Sequence, residues 1–137
     1  MTDLHEIAIR WLALWNGDMV LLDGLVAESV ITNAVLVGQL TEEPMVGRDA
    51  LGAWISQMHK AMPSVRFSVE VGPLVDGDLI ALRWRVEGQH GSASVSFTGT
   101  DILRVAEEQI VEYWVNSDTS LMMTQKDGRP TWQIRLD

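Results

Sequence analysis

Apolar positions along this chain alternate between a helical period and a two-residue period, and the switches lay out its elements. Leu4, Ile7, Ala8, Trp11, Leu14 and Trp15 recur at the three-and-four spacing of one helical face. They predict an amphipathic helix over residues 3–15, with Thr2 or Asp3 as its N-cap. Asn16-Gly17-Asp18 stops it, Gly17 suiting the left-handed position past a helix end. Leu22, Leu25 and Val26 predict a short second helix over 19–27. The β-branched run at 30–37, interrupted by Thr32 and Asn33, predicts the first strand, and Glu42-Glu43-Pro44 marks a loop over 38–46. Gly47-Arg48-Asp49 then opens a third helix over 49–61, closed by Pro63, with Leu51, Trp54, Ile55, Met58 and Met62 as its inward stripe.

Beyond Pro63 strict alternation takes over. Val65, Phe67, Val69 and Val71 fall on one face of a strand at 65–74, and Arg66, Ser68 and Glu70 on the other. Asp76-Gly77-Asp78 is a hairpin signal. The return strand, 79–88, puts Ile80, Leu82, Trp84 and Val86 on one face; Arg83 and Arg85 face outward, where they are expected to pair with acids across a dimer. A loop around Gln89-His90-Gly91-Ser92 leads to FTGTDILRVAEEQIVEYWVNSD at 97–118, two strand-like runs joined by Ala106-Glu107-Glu108-Gln109. Folding at Glu107-Glu108 sets Val105 opposite Ile110, Leu103 opposite Glu112, Asp101 opposite Trp114 and Gly99 opposite Asn116. Asp101, Trp114, Asn116 and, by parity, Asp118 then share one face. A short apolar helix at 119–125, carrying Leu121-Met122-Met123, and an irregular tail from Lys126 complete the chain. Helices gathered on one side of an antiparallel sheet define an α+β class, with a single domain over 1–125 and a tail over 126–137.

Composition narrows what such a domain does. A chain of 137 residues with 47% hydrophobic and 21% charged residues has the makeup of one globular domain. A net charge of -9 and a pI of about 4.6 argue against nucleic acid or an anionic membrane as partner. Zero cysteines exclude disulfides, thiolate metal sites and a cysteine nucleophile. No apolar run reaches the length of a membrane-spanning helix, and the start MTDLHEIAIR lacks the marks of a signal peptide, so a cytoplasmic location is expected. Six tryptophans against two phenylalanines and one tyrosine are the compositional oddity. Indoles pack cores and also line pockets for flat or apolar ligands.

Candidate chemistry gathers on the last hairpin. Asp101, set in a β-rich run opposite a Trp, is expected to be desolvated, which raises a carboxyl pKa and suits proton exchange near neutrality. The alternative is a sheet-edge acid satisfied by backbone or by an arginine. Asp118 is a second acid, and equally a helix N-cap ahead of Thr119-Ser120. Asn116 could hold a substrate carbonyl or enolate oxygen, or simply end the strand. Asn33, an amide in an apolar run, points to the pocket if Thr32 is the outward residue. His59 sits at the edge of the third helix's apolar stripe, a ligand contact or a surface residue. His90 falls in a loop, and His5 on the outer face of the first helix takes no role. The histidines lack metal-ligand spacing to one another or to paired acids, so no metal site is expected. Trp15, Trp54, Trp84 and Trp114 come from separate elements and, with Met58, are expected to wall a ligand pocket.

Several of these stretches together resemble the SnoaL-like branch of the nuclear transport factor 2-like superfamily, the ester-cyclase or polyketide-cyclase group. They are a Trp before an N-G-D stop, G-R-D-A-L opening the third helix, P-x-V-R-F leaving it, and the ending F-x-G-T-D-I-L-R-V…I-V-E-Y-W-V-N-S-D. The resemblance covers roughly residues 3–125. It implies a curved antiparallel sheet wrapped round helices as a cone with an apolar pocket, usually dimeric through the outer sheet face. It also implies cofactor-independent ring closure by intramolecular aldol condensation on a small apolar or polyketide-like substrate, with Asp101 and Asp118 as the acid/base pair. A non-catalytic small-molecule-binding or interaction module of the same fold is the alternative. Epoxide-hydrolase-like chemistry, which uses an Asp–Arg–Asp group in this superfamily, is disfavoured because Arg83 and Arg85 have no Asp beside them. The short 89–96 connection departs from the longer loop common in the ester-cyclase group.

Overall fold

The computed structural model describes residues 2–35 and 42–118. The end of the first predicted strand at 36–37, the helix at 119–125 and the tail from Lys126 lie outside the described residues.

Helix α1 (Leu4–Trp15) starts at Asp3, whose carboxylate accepts from the backbone N–H groups of His5 and Glu6 at 3.0 and 3.3 Å. Its buried face is Ile7, Ala8, Trp11, Leu14 and Trp15. A 3-10 turn (Met19–Leu21) runs into the four-residue helix α2 (Leu22–Leu25). Strand β1 (Val26–Asn33) begins where the second helix was expected to continue. The helical spacing of Leu22, Leu25 and Val26 is overridden because Val26 pairs in register with Ile110 and is fully buried there. Strand β2 is the pair Met45–Val46, followed by α3 (Arg48–Ala61). Four long strands complete the fold: β3 (Arg66–Asp76), β4 (Leu79–His90), β5 (Ala93–Ala106) and β6 (Gln109–Ser117).

The strands form one curved six-stranded sheet in the order β2-β1-β6-β5-β4-β3. Among the described residues only the β1–β6 pairing is parallel. The helices cover one face of it, which makes the α+β class. On β4 the predicted face is the buried one, Ile80, Leu82, Trp84 and Val86. No helix among the described residues is long and apolar enough to cross a membrane.

Two further expectations are corrected. Alternation in β3 fails after Val69: Val71 is 51% exposed and pairs with the outward Arg83, because the pairing with β4 shifts register on both sides of Val71. Residues 89–90 and 93–96 are strand rather than loop. β4 runs through His90, which pairs with Ala93, and the turn is Gly91-Ser92 with Gly91 at φ 62.

The last hairpin decides the site. Glu107 and Glu108 both hold positive φ, 51 and 66, and the turn sets Ala106 opposite Gln109 and Val105 opposite Ile110 as expected. The register then slips by one residue. Arg104 lies opposite Glu112, Leu103 opposite Tyr113, Ile102 opposite Trp114, Asp101 opposite Val115 and Thr100 opposite Asn116. Val111 is the extra residue of a bulge, and every side chain beyond it changes face. Tyr113 turns into the core; Trp114 and Asn116 turn out.

Candidate functional site

Asp101 points inward from β5 and is 3% exposed. Three elements meet its carboxylate. Trp11 of α1 donates its indole N–H to Oδ2 at 3.0 Å. Trp84 of β4 donates to Oδ1 at 2.9 Å, and the Tyr113 hydroxyl of β6 donates to the same oxygen at 3.2 Å. The Trp11 and Tyr113 rings pack edge to face with centroids 4.7 Å apart. Trp84 reaches the acid by lying across Gly99, its register partner: a Cβ at that position would sit 2.2 Å from the indole Cζ2.

Burial moves the Asp101 pKa from 3.8 up to about 6, while the hydrogen bonds from Trp11, Trp84 and Tyr113 pull it back down. Burial, and then the Asp101 charge beside it, push the Tyr113 phenol well above its usual 10, so it remains a donor at any physiological pH. The sign for stability follows. The native state holds a proton that the unfolded chain releases, so this stability is fully present below about pH 4 and lost as pH rises through about 6. The expected loss is about 3 kcal/mol across that window. Urea denaturation at a series of pH values checks it, and Asp101→Asn should abolish this component.

A cavity of ≈ 800 Å³ opens beside the carboxylate, and Asp101 is part of its lining. Its aromatic walls are Trp11, Trp15, Trp54 and Trp84, with Met58 among the apolar contacts. Trp15 is the hub of that wall, its ring centroid 5.2 Å from Trp54, 5.6 Å from Phe67 and 6.0 Å from Trp11. Trp15, Trp54, Met58 and Trp84 thus converge on one space.

The other candidates divide between the cavity lining and the outer face. His59 is not in the cavity lining; its Nε2 donates to the Trp15 carbonyl at 2.7 Å, tying α3 to the end of α1. Thr32 is the inward residue, with no exposed surface, so Asn33 belongs to the outer face. Its amide donates to Glu112 Oε2 at 3.1 Å and to the Tyr113 carbonyl at 3.3 Å. Asn33, Trp114 and Asn116 are nevertheless part of the cavity lining. Trp114 stands on the outer face with the Arg104 guanidinium 5.7 Å from its ring. Asp118 is exposed there too: it accepts from the Thr98 hydroxyl at 2.7 Å, and Thr98 in turn accepts from Arg83. Asp101, Asn116 and Asp118 therefore do not share a face. The slip at Val111 is the reason. Arg83 and Arg85 do face outward, but the acids beside them, Asp118 and Glu70, are their own chain's. His90 ends β4.

Sequence reasoning missed two of the three donors. Trp11 carried a signal, since it lies on the buried stripe of α1; Tyr113 was assigned the wrong face by unbroken alternation.

Residues 8–113 match the family model described as a SnoaL-like domain. The chain belongs to the SnoaL-like family. Its fold is the nuclear transport factor 2-like cone, shared with solved SnoaL-like structures. IdmH of Streptomyces antibioticus, a candidate polyketide cyclase, is similar with a TM-score of 0.80 at 20% identity, over 90% of this chain and 97% of that one. A candidate polyketide cyclase from Bacillus cereus ATCC 10987 gives 0.78 at 25% identity, over 90% and 79%. A protein of ketosteroid isomerase-like fold from Catenulispora acidiphila DSM 44928, in complex with trimethylamine, gives 0.77 at 20% identity, over 98% and 100%. No curated protein matches the chain.

Proposed function

We propose that this SnoaL-like protein is a cofactor-independent acid–base enzyme of the cyclase or isomerase type, acting on a small apolar or polyketide-like molecule. The observation that carries the reading is a buried carboxylate, poised near pH 6, in the wall of an aromatic cavity. Two oxygens offer about four acceptor positions. Trp84 and Tyr113 occupy Oδ1 and Trp11 occupies Oδ2, which leaves one position on Oδ2 for an incoming proton.

At neutral pH Asp101 is mostly ionised and serves as general base. It removes a proton from a carbon next to a carbonyl, leaving an enolate. In ring closure the enolate carbon bonds to a second carbonyl carbon of the same molecule, and Asp101 returns its proton to the new alkoxide. Nothing is oxidised or reduced. The indole and phenol donors stay bonded in both protonation states and hold the acid in place. The reading assigns proton transfer to Asp101 alone, since Asn116 and Asp118 stand on the other face. Arg83 is engaged there with Thr98 and Thr100, which gives no support to epoxide hydrolysis.

A wild-type protein that accelerates exchange of the α-protons of 2-tetralone in D₂O supports this reading, and loss of that exchange in Asp101→Asn assigns it. Binding of 2-tetralone without exchange favours the non-catalytic ligand-binding module instead, a reading to which the three core donors on Asp101 lend weight. The exposed Val71, Leu74 and Ile102 on the outer face support a homodimer through that face. Sedimentation velocity should give twice the 15.3 kDa chain mass; a monomer at micromolar concentration contradicts it.

A further inference from the structure

Two register rows fix the inward face where β5 and β6 meet the cavity. Asp101 lies opposite Val115, and Gly99 lies opposite Ser117. Gly99 shows which way its row points, because the buried Trp84 indole lies across it on the cavity side. Ser117 shares that face, while its neighbours Asn116 and Asp118 take the other. Ser117 lines the cavity and is half-buried. Its hydroxyl keeps open surface and has no hydrogen-bond partner among the described residues. Other polar side chains of the lining are committed or turned away. The Asn33 amide is bonded to Glu112 and to the Tyr113 carbonyl. Asn116 lies opposite Thr100 on the outer face, and Glu42 and Gln57 are exposed to solvent. Ser117 thus faces inward beside Asp101 with a hydrogen bond to give.

We propose that the Ser117 hydroxyl holds the carbonyl oxygen of the cavity's ligand while Asp101 faces the carbon next to that carbonyl. Ser117 is the diagonal neighbour of Asp101 across the β5–β6 pair, which sets their Cα atoms about 7–8 Å apart. A ketone fits that span with its α-carbon about 3–3.5 Å from the acid and its oxygen about 2.8 Å from the hydroxyl. At the corner between them Gly99 has no side chain, and the flat Trp84 ring covers the gap. The cavity therefore selects a carbonyl compound over a hydrocarbon of the same shape. The inference rests on the reading of the cavity as a small-molecule site, and it deepens that reading. When the α C–H bond breaks, its proton goes to Asp101 and its electron pair moves onto the oxygen that Ser117 holds. A donor already in place stabilises that charge without reorganising.

The test compares 2-tetralone with tetralin, which has the same two rings and no oxygen. Ser117→Ala should weaken 2-tetralone about fivefold and leave tetralin unchanged, and Ser117→Thr, which keeps the hydroxyl, should restore the ketone's affinity. Infrared difference spectra should show the bound ketone's carbonyl stretch at lower wavenumber in the wild type than in Ser117→Ala. Should threonine not fit, that band alone decides. Ser117 makes no hydrogen bond within the described residues, so circular dichroism should find both variants folded. An unchanged ketone affinity with an unmoved carbonyl band overturns the Ser117 assignment and leaves the cavity reading standing. Equal weakening of both compounds does the same, since it marks a structural role. Failure of both compounds to bind the wild type overturns both.

Discussion

Replacing Asp101 by Asn is expected to slow α-proton exchange of 2-tetralone by about 10²–10⁴-fold, the contribution of one positioned general base. The amide removes the carboxylate that the cavity wall shares with three core donors. It keeps the shape and one acceptor oxygen, so Trp84 and Tyr113 can retain their bonds. The new NH₂ then faces Trp11 Nε1–H, donor against donor, where the carboxylate accepted at 3.0 Å. Losing that bond destabilises by about 1–3 kcal/mol, while removing a buried negative charge works the other way at neutral pH. A folded variant with little exchange is therefore expected. Circular dichroism checks the fold, and proton NMR in D₂O follows the exchange. An exchange rate in Asp101→Asn equal to that of the wild type sinks the mechanism.

Gly99→Ala should cost about 3 kcal/mol, although it adds a single methyl. The added Cβ would lie 2.2, 2.5 and 2.7 Å from Cζ2, Cη2 and Cε2 of Trp84, all closer than real Cβ atoms approach. The clash is steric, against a large ring that is itself buried between Phe67 and Phe97. The indole has to swing off β5, and its N–H leaves Asp101 when it does. That removes one of the interactions holding the Asp101 pKa down, so the acid should titrate above about 6 in the variant. Adding Trp84→Phe to Gly99→Ala should recover part of the lost stability, because the shorter ring no longer reaches the methyl. Urea midpoints of the two single variants and the double variant test this. Additive losses would show that Gly99 serves something other than seating Trp84.

How much of this the chain discloses depends on which physical signal speaks. The buried faces of α1 and β4 were legible, because Trp11, Leu14 and Trp15 keep a helical period and Ile80 to Val86 keep a strict two-residue period. The hairpin turns at Gly77 and at Glu107-Glu108 were legible from turn chemistry and from the β-rich runs on either side. The family could be recognised from the motifs of helix and hairpin together. Legibility stopped at bulges. An extra residue such as Val111 has no composition of its own, yet it inverts the face of all that follows, and so Trp114 and Asn116 were expected where Tyr113 stands. The same cause undid the alternation at Val71. Asp101 was singled out because an acid among Thr, Ile, Leu and Val is hard to bury without partners. Its partners were harder to read, since Trp11 comes from an element distant in the sequence and Tyr113 lies beyond the bulge. His59 was misread because the edge of an apolar stripe does not distinguish a ligand contact from a helix-docking bond.

The account stands on the protonation of one carboxyl group, and ¹³C NMR of labelled protein can follow the Asp101 side-chain carbonyl directly as pH is varied. It predicts a titration midpoint at about 6, well above that of an exposed aspartate. A midpoint near 4 or below would mean that the three donors outweigh burial, and it would contradict the assignment of Asp101 as a proton carrier near neutral pH.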